Sequence, residues 1–318
     1  MVESPTAGVT VACCQFAPRV GELTGNRAAC LDVAARAAGQ GARIVVLPEL
    51  ASSGYVFRDL AEARTLAEPV DGPTAAQWAA LAGRLGITLI GGICELGDDG
   101  ALYNTAVVVA GPGILAAYRK VHLWDAEKLV FTPGSQPPPV VQIGGARLAV
   151  MICYDLEFPE WVRLPALAGA QLLCAPTNWP LFPRPDGERP MEVVRVQASA
   201  AINRMFIAAC DRVGHERGVD WVGGSAIIDP DGWPLAGPVP GDEERILVAV
   251  CDLGAANDKR TSERNDVMSD RRPQLYGGLV QGGRLSVAES AAIGATGAPV
   301  PQAGPVASKA SSASPGVS

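Results

Sequence analysis

Apolar positions in this chain fall into short blocks of two kinds. Residues 9–16 are apolar and β-branched enough for a strand, and 44–47 is a short, fully apolar run, the pattern of a strand buried on both faces. Between them, 24–38 predicts a helix with Thr24 as its N-cap and Gly39 and Gly41 at its end. Pro73 predicts the start of another helix, with Gln77, Trp78, Leu81 and Leu85 at helical spacing and Gly86 as its stop. Three strands then follow at 87–94, 103–110 and 114–118, joined by Gly/Asp-rich and Gly-Pro-Gly turns.

The second half uses the same alphabet. Residues 140–143 and 147–152 predict a hairpin turned at Gly144-Gly145, followed by a helix over 159–168 and a strand over 171–175. A helix over 191–203 and strands at 206–210, 225–228 and 246–250 complete the pattern. No short repeat is present, which disfavours a solenoid. Strand–helix units mixed with hairpins predict α/β layers, two sheets covered by helices. From 286 onward the chain turns to Ala, Gly, Ser, Pro and Val, with Lys309 its only base. Such a segment buries too little to offset its ordering, so 1–285 reads as one domain and 286–318 as a flexible tail. An arm wrapping a neighbouring subunit is the alternative reading of that tail.

Composition narrows the function classes. With 26 basic against 33 acidic residues, the net charge of −7 argues against nucleic acid as a partner. The longest nearly uncharged run, 105–118, is interrupted by Gly111-Pro112-Gly113 and is too short for a membrane span. The amino terminus lacks a basic head followed by an apolar stretch, so no secretory signal is expected. Eight cysteines show no Cys-x-x-Cys pair, and His122 and His215 lie far apart, so structural zinc is not expected. Neither a P-loop nor a Gly-x-Gly-x-x-Gly turn is present, and no nucleotide, flavin or other cofactor is expected. Free thiols in apolar segments suit a reducing cytoplasm.

Candidate chemistry sits where apolar runs end. Cys153, in Met-Ile-Cys-Tyr-Asp, follows a strand and precedes polar residues and Pro159, a strand-to-helix turn that presents a nucleophile. A buried core thiol is the competing reading. Neither histidine lies in a context that serves Cys153, and both read as hydrogen-bonded structural residues. A carboxylate and an ammonium must then do that work. Glu49 ends Ile-Val-Val-Leu-Pro-Glu, and Lys120 ends Ile-Leu-Ala-Ala-Tyr-Arg-Lys. Either charge alone reads as chain returning to solvent; three such strand ends in one sheet protein read as a site.

These segments, in this order, resemble the nitrilase superfamily of carbon–nitrogen hydrolases. The resemblance extends through Phe-Thr-Pro-Gly at 131–134, Ala-Pro-Thr-Asn-Trp-Pro at 175–180, Asp-Arg-Val-Gly at 211–214, Gly-Gly-Ser-Ala-Ile-Ile-Asp-Pro-Asp-Gly at 223–232 and Asp-Arg-Arg-Pro-Gln-Leu-Tyr at 270–276. It implies a four-layer αββα sandwich and a homodimer or larger homo-oligomer. It also implies Glu49 as proton acceptor and donor, Lys120 as charge stabiliser, Cys153 as nucleophile and Glu127 in support. Tyr154 then supplies an oxyanion N–H, and the substrate pocket takes Tyr55 with Asn178 or Trp179, the aromatics as apolar walls or, on the competing reading, as packing residues. Nitrile-cleaving members place Trp-Glu after the cysteine; Tyr154-Asp155 here looks more like the amidase and carbamoylase branches. The expected reaction is hydrolysis of a small amide to acid and ammonia, with an N-carbamoyl amidohydrolase as the alternative. A nitrilase or a non-catalytic relative stands further off. Glu157, where omega-amidase-like relatives often carry arginine, is either a negative pocket wall or a helix N-terminal charge.

Overall fold

A computed structural model of the chain describes residues 8–239 and 241–279. It divides into two compact units, Met1–Arg271 and Arg272–Ser318. In the second, the described residues form two short 3-10 turns, Pro273–Leu275 and Gly277–Leu279. The tail expected over 286–318 lies outside the described residues.

The first unit is built on two six-stranded sheets. The first sheet contains β1 (Val9–Gln15), β2 (Ile44–Val46), β3 (Thr88–Leu96), β4 (Leu102–Ala110) and β5 (Gly113–Arg119). Helices α1 (Leu23–Gly39), α2 (Leu60–Leu66) and α3 (Pro73–Leu85) connect them. The second sheet takes β6 (Val140–Ile143), β7 (Ala146–Val150), β8 (Leu172–Pro176) and β9 (Phe206–Cys210), with α4 (Pro159–Leu167) and α5 (Met191–Asn203) between them. A small hairpin, β10 (His215–Glu216) and β11 (Val219–Asp220), precedes β12 (Ala226–Ile228) and β13 (Pro234–Ala236). The last strand, β14 (Arg245–Cys251), returns to the first sheet beside β1. The orders are β14-β1-β2-β3-β4-β5 and β13-β12-β9-β8-β7-β6.

Side-chain alternation explains the layering. In β1 and β2, Val11, Cys13, Ile44 and Val46 join the core that contains the second sheet. Ala12, Cys14 and Val45 face the other way and pack with Cys30, Ala34, Trp78 and Leu81 of α1 and α3. Strands sandwiched between a sheet and a helical layer need apolar residues at every position, as their sequences show. The expected αββα sandwich is the observed architecture.

The α1 N-terminus departs from expectation. The helix begins at Leu23, ahead of Thr24, and its N-cap Glu22 makes no side-chain capping bond. Asn26, buried in the first turn, instead ties the helix to the segments beside it. It accepts from the Arg19 N–H at 2.8 Å and donates to the carbonyls of Arg19 and Ser52 at 2.7 and 3.0 Å. The start is therefore fixed by a tertiary latch rather than a local cap. Pro73 and Gly86 do bound α3, the latter in the left-handed conformation.

Candidate active site

Strand direction brings the candidate residues together. β2 and β3 are parallel and β5 lies two antiparallel steps from β3, so β2 and β5 end at the same edge. Glu49 follows β2 there and Lys120 follows β5. In the second sheet β7, β8 and β9 are parallel, and Cys153 and Asn178 follow β7 and β8. The two edges are tied directly: Asn178 Nδ2 donates to the Glu49 carbonyl at 2.8 Å, and Cys153 Sγ donates to the Asn178 carbonyl at 3.7 Å. Glu49 itself lies tight against β3, where a Cβ on Gly92 would come within 2.2 Å of the Leu50 nitrogen. Only glycine permits that approach.

The carboxylates close around one ammonium. Lys120 Nζ donates to Glu49 Oε1 and to Glu127 Oε1, each at 2.7 Å. Asn104 Nδ2 donates to the same two oxygens, at 2.7 Å and 3.3 Å. Glu127 Oε1 also accepts from the Tyr55 hydroxyl at 2.7 Å, and its Oε2 accepts from the Trp124 N–H at 2.8 Å. That last bond starts the 3-10 turn Asp125–Leu129 and fixes the carboxylate relative to β5. Tyr55, expected as an apolar wall, therefore also contributes a donor. Glu49 and Lys120 are 0% and 1% exposed.

Three valences are left in this cluster, one of them on Asn104, whose Oδ1 is buried without a partner. Glu49 Oε2 is buried without a hydrogen-bond partner. Lys120 has three donors, and the two carboxylates occupy two of them. Burial pushes the Glu49 carboxyl up to about 8; Lys120 pulls it down, while Glu127 pushes it further up. For Lys120, burial favours the neutral amine, but Glu127 and Glu49 outweigh it and hold the ammonium above its ordinary range. Burial and then the Glu49 charge hold the Cys153 thiol well above its usual value, with Lys120 opposing. Both shifts favour the protonated forms, so the sulfur rests as a thiol and Glu49 can serve as its base once the carboxyl is ionised.

Cys153 sits at a backbone elbow. Its φ is +46°, in the left-handed region that non-glycine residues seldom occupy. The elbow is pinned from below by Asp155. Asp155 Oδ2 accepts from the Ile152 N–H at 3.2 Å and the Tyr118 hydroxyl at 2.8 Å. Its Oδ1 accepts from the His122 N–H at 3.0 Å and lies 2.7 Å from His122 Nδ1. His122, stacked on Phe158 at 3.8 Å, thus supports the turn as expected. His215 pairs with Asp220 across the small hairpin.

The cleft over Cys153 is lined by Tyr154, Asn178 and Trp179, and by Glu157, Glu192 and Phe182. Glu157 is thus a cleft residue; it also pairs with Arg195 at 2.8 Å. Beside this cleft lies a cavity of about 420 Å³ whose walls include Tyr55, Glu127, Phe131 and Trp221. Trp124 and Phe182 line both spaces.

Sequence reading missed Asn104, although a lone amide in the apolar strand Leu102–Ala110 was a usable signal. It also missed the buried Arg212–Glu216 pair. Glu216 accepts from the Tyr55 and Val56 N–H groups at 2.9 and 2.8 Å and so fixes the loop that carries Tyr55. Asp211 accepts from the Trp179 N–H at 2.9 Å and fixes the loop after β8.

Residues 10–261 match the model of the carbon–nitrogen hydrolase family, and the chain belongs to that family. It is a hydrolase of carbon–nitrogen bonds other than peptide bonds. A nitrilase of Pyrococcus abyssi is 35% identical over 84% of this chain and 99% of its own length. An (R)-stereoselective amidase of a Pseudomonas species is 33% identical over 83% of this chain and 91% of its own. Among solved structures, an amidase from a Nesterenkonia species superposes with a TM-score of 0.71 at 29% identity, covering 88% of this chain and 99% of that one. A variant of that enzyme carries acrylamide added to its active-site cysteine.

Proposed function

We propose that Glu49, Lys120 and Cys153 hydrolyse a small amide through a thioester on Cys153, with Glu127 holding Lys120. The observation that carries this reading is the unpartnered Glu49 Oε2, buried on a residue that Asn178 ties directly to Cys153. Cys153 Sγ bonds to the amide carbon as its proton passes to Glu49 Oε2. The electron pair moves onto the carbonyl oxygen, which the remaining Lys120 N–H and the Tyr154 backbone N–H stabilise. The carbonyl re-forms, the carbon–nitrogen bond breaks, and Glu49 returns the proton to the departing ammonia. Water then adds to the thioester while Glu49 takes its proton. The sulfur leaves as the thiol, the acid departs, and Glu49 is restored.

Cys153→Ala tests the assignment. Ammonia release from a panel of small amides, carbamoyl amines and nitriles should be absent in this variant, and mass spectrometry of the wild type should trap an acyl adduct on Cys153. Retained turnover in Cys153→Ala overturns it. Preference for carbamoyl amines in the panel would move the function to an N-carbamoyl amidohydrolase.

A homo-oligomer is proposed with this reading, supported by Leu164, Leu167, Val194 and Ile202, exposed on α4 and α5. Light scattering on the purified chain tests it; a monomer at micromolar concentration counts against it. A reducing, cytoplasmic setting is supported by eight free, buried cysteines. Among the described residues no helix is long and apolar enough to cross a membrane.

A further inference from the structure

We infer that the cleft over Cys153 selects amides whose acyl part carries an ammonium group, and rejects those carrying a carboxylate. The inference rests on the amidase reading above and adds its substrate class. Glu157 and Glu192, from the turn after Cys153 and the first turn of α5, both line the cleft, and among the described residues no lysine or arginine lines it. The nearest counter-charge is Arg195, whose Nη1 lies 2.8 Å from Glu157 and 3.8 Å from Glu192. One guanidinium against two carboxylates leaves the wall with one negative charge in excess.

A second observation points to a donor-bearing ligand independently of the charges. Asn178, 1% exposed, lines the same cleft. Its Nδ2 is committed to the Glu49 carbonyl, which fixes the amide orientation and leaves Oδ1 buried with no partner. A buried acceptor without a donor is costly unless a ligand supplies one. Two carboxylates sharing one guanidinium, with an unpartnered amide oxygen in the same cleft, fit a substrate rich in N–H groups.

Three amides of matched length separate the outcomes: 4-aminobutanamide, pentanamide and succinamate. In the wild type, kcat/KM for the aminoamide should exceed that for the neutral amide by about tenfold, with succinamate slowest. Glu192→Gln should lower the aminoamide-to-neutral ratio about threefold to tenfold, and Glu157→Gln should lower it in the same direction. Arg195→Gln removes the counter-charge and should raise the ratio, an opposite sign that general damage to the cleft does not produce. Equal rates on all three amides, or ratios that move the same way in Glu192→Gln and Arg195→Gln, overturn the inference while leaving the amidase reading standing. A wild type that hydrolyses none of a broad amide panel overturns both.

Discussion

Two buried charge clusters lie within this fold, and they differ in what they leave undone. In the cluster at the ends of β9 and β10, Glu216 accepts N–H groups from Val20, Tyr55 and Val56 and pairs with Arg212 at 2.9 Å. Asp211 accepts from the N–H groups of Trp179, Arg212 and Gly224. The Arg212 guanidinium lies 4.6 Å over the Trp221 ring and donates to the Pro18 carbonyl. Those carboxylates are saturated on both oxygens. In the Glu49–Lys120–Glu127 cluster, a carboxylate oxygen and an ammonium proton are left over. In the first cluster Arg212 Nε and Trp221 Nε1 are left without partners, but both are donors. Carboxylates saturated on both oxygens hold loops, whereas one with a free oxygen is ready to take a proton from a reacting group.

The contrast is broken most sharply by Glu49→Gln. Glutamine keeps an oxygen for Lys120 and Asn104 but cannot accept a proton. Turnover should fall by about 10²–10⁴ as the general base is lost, while thermal unfolding followed by circular dichroism stays near the wild type. A large drop in Tm would show that the unsaturated cluster is structural too, and that the distinction is wrong.

Glu216→Ala should do the reverse. It strands the buried Arg212 charge and three backbone N–H groups, a loss of about 3–5 kcal/mol in denaturant unfolding. The milder Glu216→Gln should lower stability less and leave kcat per folded molecule within about tenfold, since no reacting atom is touched. A collapse of kcat with stability intact would instead place Glu216 in the chemistry.

The same contrast decides what was legible in the sequence. Glu49, Lys120 and Cys153 each stand where an apolar strand ends, and an abrupt change from apolar to charged is visible in one dimension. Arg212 and Glu216 sit in a polar, glycine-bearing stretch that looks solvated; nothing local says that Tyr55, far earlier in the chain, folds over them. Asn104 was legible in principle, as the one amide in a largely apolar strand, but nothing local says that its side chain reaches Glu49 and Glu127. The short helix α2 escaped because only Ala63 and Leu66 are buried in it, too few to show a period. Its start is set by Asp59, which accepts from the Glu62 N–H at 2.8 Å. Sheet layers were readable because strands buried on both faces leave unbroken apolar runs.

The smallest effect is the most diagnostic of how the unsaturated cluster works. Glu49 must be a carboxylate to receive the thiol proton, and burial, reinforced by Glu127, raises its pKa to about 8. A raised pKa keeps the proton on as pH falls, so kcat/KM should drop on the acid side through a limb far above the ordinary carboxylate range. Glu127→Gln removes the like charge and leaves Lys120 to Glu49 alone, and both changes favour the Glu49 anion. The acid limb should therefore move to lower pH, by about one unit for each 1.4 kcal/mol of repulsion relieved, even as the maximum rate falls with the loosening of Lys120. A limb that stays in place, or moves toward higher pH, would mean that Glu127 does not set the proton affinity of Glu49. The carboxylates would then be two separate ligands of one ammonium, and the leftover oxygen on Glu49 would owe its basicity to burial alone.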